Sequence, residues 1–374
     1  MEKGYSFAFS FRCMPFVLTA FTRTLQFKFN ARTSRGAMQT HQAHYLRLHH
    51  SQDPAVQGWG ECSPLPGLSP DFAPDFSSRL LLLCQQFNAL CIEDTADARK
   101  GDFWALLEDW PSVCFGWETA WVDYFRGANR TLYDTPFSRS EEGIKINGLI
   151  WMGEPAFMRE QIGKKMSQGF RCLKLKIGGL DFAQELKILK EIRQMAGPGD
   201  LELRLDANGA FSAEEAEEKI RQLAVYHIHS LEQPLKPGQP EQMQLLCSVS
   251  PIPIALDEEL IGVNGNENRW KLLDQVRPHY IIIKPTLVGG LVSSREWIQT
   301  ARSLGIEWWL TSALESNIGL NAVAQLAAET QNPLPQGLGT GQLYHNNLAS
   351  PLEVRGEELW YASAKKWELP QDKL

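Results

Sequence analysis

Five polar residues, Lys176, Asp206, Glu232, Asp257 and Lys284, recur at nearly one interval, separated by 30, 26, 25 and 27 residues. Each closes a short apolar run: LKLK, LELRLD, HIHSLE, PIPIALD and YIIIK. Three are carboxylates. A group of carboxylates repels itself unless a cation lies among them. An all-oxygen donor set suits a hard ion, Mg²⁺ with Mn²⁺ as a substitute, and leaves octahedral positions for water or substrate oxygens. Asp206, Glu232 and Asp257 are therefore the expected metal ligands.

The lysines supply the other half. Lys174 and Lys176 are two apart, so both project to one face of their strand. Lys284 ends an otherwise apolar strand, where a lysine is costly to bury without a purpose. A lysine base must be neutral, and neighbouring positive charge favours that form. Lys176 is read as the base, Lys174 as the neighbour that tunes it, and Lys284 as a cation facing them across a cavity. A carboxylate bound to Mg²⁺ has an acidified α-proton, because the ion stabilises the enediolate. The reaction class is proton abstraction α to a carboxylate, with a small-molecule carboxylate as partner.

Other readings compete. Acidic residues often end strands as helix N-caps, and Leu173 and Leu175 could face a core while both lysines face outward. A Schiff-base aldolase would also use a barrel lysine, but it leaves the carboxylates without a purpose. His227 and His229 alternate in HIHSLE and are read as one face of a strand, with Glu232 on the other. They are taken as packing residues rather than zinc ligands.

Such a site needs a scaffold that brings strand ends together. From about residue 144, short apolar runs alternate with amphipathic helices, the pattern of β/α units and a parallel sheet. Eight strand candidates can be counted, from GIKINGLI to QGLGTGQ. An eight-stranded barrel builds its site where strands end, and no G-x-G-x-x-G follows an early strand to favour an open doubly wound sheet. Ser212 and Glu215 form a capping-box pattern ahead of one helix. Residues 1–135 read as an α+β capping domain, completed by the tail 346–374, and 136–345 as the barrel. In the cap, TRTLQFKFN and HYLRLHH predict a hairpin around the turn-like ARTSRGAMQT. GWGECSPLPGLSPDF reads as an ordered loop because of its Gly and Pro content. Three helical segments follow.

The chain has 374 residues and a net charge of −7, from 37 basic and 44 acidic side chains. With no basic run, nucleic acid is not an expected partner. Seven cysteines at irregular spacing, with no C-x-x-C, predict reduced and mostly buried thiols. The first 21 residues superficially resemble a signal peptide, but Arg12 interrupts the apolar run. No stretch reaches membrane-span length, so the expected location is cytoplasmic; the oligomeric state is left undefined.

LKLKIG, RLDANGAF, LEQPL, ALDEEL and IIIKPTLVGG together resemble the enolase superfamily, in its muconate-lactonizing branch, over most of the chain. The lysine-base and magnesium chemistry of that superfamily is an established pattern. The resemblance implies an α/β fold, a modified TIM barrel of the form (β/α)7β under an α+β capping domain. It gives the base role to Lys176, the opposite face to Lys284, and the metal to Asp206, Glu232 and Asp257, and it adds Glu258 as a partner behind the ligands. GWGECSPLPGLS, TSRGAM and TSALESNIGL further resemble a dehydratase of that branch. Its substrate, 2-succinyl-6-hydroxy-2,4-cyclohexadiene-1-carboxylate, loses water to become aromatic. On this likeness Asn208 lies near the substrate. Ser312 and the backbone N–H groups ahead of NIGLNAVAQLAA hold the succinyl carboxylate. The TSRGAM loop, with Gly36, closes over the site, and Lys284 adds a cation–π contact. A dipeptide epimerase of the same branch would use both lysines as bases and carry Asp-x-Asp after the eighth strand, but GLGTGQLYHNN has no acidic residue. N-succinylamino acid racemisation needs no ammonium pocket and stays open. A non-catalytic scaffold is disfavoured by the presence of all five residues.

Overall fold

The computed structural model describes residues 15–33, 36–92, 99 and 102–370. Residues 1–14 with Cys13, and Ser34 and Arg35 of TSRGAM, lie outside the described residues. In the cap, β1 (Phe16–Thr33), β2 (Gly36–His50) and β3 (Asp53–Cys62) form an antiparallel sheet in that order. The strands run further than the sequence suggests. Pairing continues to Thr33 opposite Gly36, so most of the turn-like ARTSRGAMQT is strand, with an irregularity between Gln26 and Ala31.

GWGEC is strand as well, not loop. Its glycines serve close packing rather than a turn: a Cβ on Gly60 would stand 1.8 Å from the Gly116 carbonyl oxygen, and one on Gly58 would stand 2.1 Å from that of Ala120. A strand glycine marks such an approach of two backbones. Here β3 lies directly on a helix. The cap helices are α1 (Phe76–Ala89), the short α2 (Asp102–Ala105) and α3 (Pro111–Phe125). Leu80, Phe87, Phe103 and Trp117 join Leu46 and Leu48 of the sheet in one apolar core.

The barrel opens with β4 (Ile144–Lys145), β5 (Gly148–Ile150) and α4 (Pro155–Ser167). Three units follow: β6 (Cys172–Lys176) with α5 (Phe182–Met195), β7 (Glu202–Asp206) with α6 (Ala213–Ala224), and β8 (Ser230–Glu232) with α7 (Pro240–Val249). Then come β9 (Ile254–Leu256) with α8 (Asn266–Val276) and β10 (Tyr280–Ile283) with α9 (Pro285–Val288) and α10 (Gly290–Ser303). Last are β11 (Glu307–Leu310) and α11 (Asn317–Thr330). Strands β5 to β11 form one parallel sheet in sequence order. Gln336 and Gly337 close it. Gln336 bridges Ile146 and Gly337 bridges Thr311, both in parallel, so the eighth position is two bridging residues rather than a full strand. Ser212 and Glu215 make the expected capping box.

The tail divides between the two parts. Strand β12 (Leu352–Arg355) pairs with β13 (Glu358–Tyr361), and β13 pairs with β4 of the barrel segment. Further on, Glu368 reaches back to Arg23 of the cap. Cys62, Cys84, Cys114, Cys172 and Cys247 are buried thiols outside any disulfide, and Cys91 is exposed. No helix among the described residues is long and apolar enough to cross a membrane.

Candidate active site

Strand register sets the site. Lys176 pairs with Asp206 and Asp206 with Glu232 across β6, β7 and β8; Glu232 pairs with Ala255, which places Asp257 two residues further up β9's line. Since side chains alternate along strands, Lys174, Lys176, Asp206, Glu232 and Asp257 all point inward. Lys284 follows the last residue of β10. In the sheet order the three carboxylate strands lie between β6 and β10, so the lysines flank an acidic arc on both sides.

The carboxylates are almost wholly buried: Asp206 is 1% exposed, and Glu232 and Asp257 are each 2%. Ammonium groups neutralise them directly. Lys174 Nζ lies 3.0 Å from Asp206 and 2.6 Å from Glu232, Lys176 Nζ lies 3.0 Å from Asp206, and Lys284 pairs with Asp257. Lys176 also donates to Asn208 Oδ1 at 2.8 Å, and Asn208 Nδ2 donates to Glu258 at 3.0 Å. Asn208 adopts a left-handed φ of 45°, so it both shapes the turn after β7 and aims a polar side chain at Lys176.

Electrostatics follow from this interleaving. Burial works against the Asp206 carboxylate, but Lys174, Lys176 and Lys284 outweigh it and hold its pKa well below the usual range. Burial first, and the charge of Asp206 next, push Glu232 well up. Burial also disfavours the Lys174 and Lys284 ammonium groups, yet the carboxylates win and both pKa values are raised. Both lysines are thereby held as cations by the carboxylates beside them.

Among the described residues, no three His, Cys, Asp or Glu side chains gather into a ready metal cluster. Lysines stand between the three carboxylates and take the oxygens a metal would use. The donor chemistry nonetheless fits a hard divalent ion. Asp206, Glu232, Asp257 and Glu258 are four buried carboxylates facing three lysines, and all their donors are oxygens.

Above the arc is a pocket enclosing about 720 Å³ of empty space, open solvent at its mouth included. Lys174, Lys176, Asp206, Asn208, Lys284 and Ser312 line it. Glu232 and Asp257 are not lining residues and sit against the lysine ammonium groups. Gly36, an exposed residue near the hairpin tip, and Glu258 are not in the lining. The opposite wall was not legible beforehand: Asn147, Leu149 and Trp151 come from the β5 region, Thr311 and Thr340 flank the closing seam, and Leu65 and Leu68 descend from the cap. For the last pair the signal was GWGECSPLPGLS itself.

Two further expectations change. The N–H groups ahead of α11 are already taken: Ala313 N–H donates to Glu315, Leu314 N–H to Ser312 Oγ, and Ser316 and Gly319 N–H to Glu61 of the cap. A buried donor that has a protein partner is not open to a ligand; Ser312 lines the cavity, but its hydroxyl already donates to Glu315 and accepts from Leu314 N–H and Thr340 Oγ1. His227 is not in a strand at all; it has φ 49° and precedes β8. His229 stacks on Tyr280, with centroids 5.1 Å apart, and its Nε2 lies 3.8 Å from Glu202. Glu202 begins β7, at the end remote from Asp206, so packing is its role.

Residues 158–363 match the family described as Enolase C-terminal domain-like. The chain is 44% identical over 354 residues to o-succinylbenzoate synthase of Desulfotalea psychrophila, covering 89% of this chain and 95% of that protein. The crystal structure of MenC from Desulfotalea psychrophila LSv54 superposes with a TM-score of 0.81 at 40% identity, covering 92% of this chain and 99% of that one. A dipeptide epimerase from Enterococcus faecalis V583, complexed with Mg and the dipeptide L-Leu-L-Tyr, superposes with a TM-score of 0.77 at 20% identity. It covers 93% of this chain and 97% of its own, a likeness of fold. With the lysine-flanked acidic arc in place at the strand ends, the chain belongs to the enolase superfamily and, within it, to the family of o-succinylbenzoate synthases.

Proposed function

We propose that this cavity converts 2-succinyl-6-hydroxy-2,4-cyclohexadiene-1-carboxylate into 2-succinylbenzoate and water, a carbon–oxygen lyase step of menaquinone biosynthesis. The observation that carries this reading is the pair of lysine strands flanking three carboxylate strands, opposite an uncharged wall. Asp206, Glu232 and Asp257 would hold Mg²⁺, which when bound draws charge from the substrate carboxylate and makes the neighbouring C–H acidic.

Lys176 takes that proton. Asp206 and Asn208 hold its Nζ at the cavity wall from two sides, and Glu258 steadies Asn208. Lys174 ties Asp206 to Glu232 beneath it. Lys284 faces the negative charge of the enediolate from the other flank. The C–H electron pair then closes the aromatic ring as the C–O bond to the hydroxyl breaks. The Lys176 ammonium returns its proton to the departing oxygen, so one group serves both ends of a syn elimination. Thr311, whose buried Oγ1 has no hydrogen-bond partner among the described residues, meets the succinyl tail, with Ser312 and Thr340 shaping the wall beside it; closure by the hairpin that carries Gly36 is part of the same reading.

N-succinylamino acid racemisation is the second reading, because lysines stand on both sides of the arc. A dipeptide's ammonium finds no carboxylate on the seam wall: Gly337, Gly339 and Thr340 line it. The deciding experiment follows 2-succinylbenzoate by ultraviolet absorbance, with Mg²⁺ and then with chelator. Product formation that stops on chelation is expected. No product in the presence of Mg²⁺ removes the reading.

A further inference from the structure

One buried carboxylate joins the cap to the barrel and takes no part in the chemistry above. Glu61, near the end of β3, is 0% exposed. Four donors converge on it. Ser63 Oγ at 2.5 Å and Ser316 N–H at 2.7 Å reach Oε1, while Ser316 Oγ at 2.6 Å and Gly319 N–H at 2.8 Å reach Oε2. Ser63 opens the cap loop, and Ser316 and Gly319 begin α11. A negative group suits that helix end, where unsatisfied N–H groups carry partial positive charge. The seat also needs a glycine: a Cβ on Gly319 would stand 2.7 Å from Glu315 Cβ and 3.1 Å from Glu61 Oε2.

Both segments that Glu61 ties together line the cavity within a few residues. On the cap side these are Leu65 and Leu68, and on the barrel side Thr311, Ser312, Ala313 and Leu314. Leu65 packs with Ala313 and Leu287, and Leu68 and Leu314 lie against them. A second buried carboxylate, Glu315, stiffens the barrel segment by accepting from Ser312 Oγ at 2.5 Å, from Ala313 N–H at 2.7 Å and from Thr286 Oγ1. Thr340 Oγ1 donates to Ser312 Oγ at 2.8 Å. Four distant stretches of chain, around Glu61, Thr286, Ser312 and Thr340, thus make one hydrogen-bonded wall.

We propose that Glu61 is a positioning residue for substrate binding, locking the cap loop 63–69 to the barrel loop 311–316 and so fixing the uncharged wall of the cavity. It rests on the reading of that wall as the seat of the substrate's succinyl end. A carboxylate is the group the geometry requires, because all four contacts are donors. A carboxamide has one accepting oxygen and would turn its own N–H groups towards donors.

The test compares the full chain with Glu61→Gln and Ser316→Ala, with Mg²⁺ and the cyclohexadiene carboxylate. Glu61→Gln is expected to raise KM about tenfold, the loss of charge-assisted hydrogen bonds, with Ser316→Ala smaller in the same direction. The kcat value should stay within about threefold of wild type, since no reacting atom is touched, and Mg²⁺ affinity by calorimetry should be unchanged. Hydrogen exchange without substrate should speed up in 63–69 and 311–316 together. An unchanged KM in folded Glu61→Gln, a fall in kcat that tracks a loss of Mg²⁺ affinity, or exchange that speeds up in one loop alone would each overturn the proposal. If Glu61→Gln does not fold, Ser316→Ala carries the same comparison. Wild-type protein that forms no product refutes the dehydratase reading, while the exchange comparison still decides the lock.

Discussion

Around the barrel mouth, the arc from β6 to β10 carries lysines and carboxylates, whereas the seam from β11 through Gly337 to β5 carries hydroxyls, glycines and apolar side chains. The two walls differ in support as well as in charge. Arc residues sit at or next to the ends of parallel strands, held by ladder hydrogen bonds on both sides. On the seam, the stretch after β11 is a loop whose shape depends on buried carboxylates, one of them from the cap. Strand ends are rigid, so reacting groups placed there keep their geometry. Loops can change without disturbing the arc. The division suggests chemistry on one wall and selection on the other.

The largest expected effect lies on the arc. Lys176→Ala should lower kcat by about 10² to 10⁴-fold, the usual worth of a general base, with thermal stability and Mg²⁺ affinity nearly unchanged. Wild-type-like turnover in that variant would end the base assignment. Ser312→Ala probes the other wall and should raise KM roughly threefold to tenfold by removing the hydroxyl that joins Glu315, Leu314 and Thr340 in that wall, leaving kcat close to wild type. A large fall in kcat with constant KM would erase the distinction between walls.

An effect outside both walls should be on acid stability and should sit in the cap. Burial depresses His44 to about 4, and burial together with the charge of His44 depresses His41 to about 3, both from 6.5. A histidine held neutral in the folded state contributes stability that is complete above pH 6.5 and lost as pH falls towards 4. For His44 this is on the order of 2–3 kcal/mol. Burial raises Glu61 to about 7 and Asp123 to about 6, so these acids act the opposite way, losing stability as pH rises across an overlapping range. The informative quantity is therefore a difference. Between pH 7.5 and 4.5, urea unfolding should show wild type losing more stability than His44→Gln; equal losses would refute the histidine contribution.

Much of the arc was legible because each of its charged residues ends an apolar run, and the interval between runs is one strand plus one helix. Chain spacing alone then brings Lys176, Asp206, Glu232, Asp257 and Lys284 to one rim. The seam was less legible, for two reasons. Gly58 and Gly60 looked like loop glycines, yet their small size serves the contact between β3 and α3, which no local pattern reveals. Closure by Gln336 and Gly337 rests on two bridges, too few residues to leave a strand-like period. His227 and His229 misled in the same manner, because β8 begins only at Ser230.

The order of residue types along the chain determined which groups face the barrel interior, since side-chain alternation and the β/α repeat are local properties. Tertiary structure decided which charge meets which. It set Lys174 between Asp206 and Glu232, placed Lys284 on Asp257, and sent Glu61 across 255 residues to the start of α11. Pairings of that kind depend on distances in space and on shared burial, and these come into being only once the barrel has closed and the cap has docked.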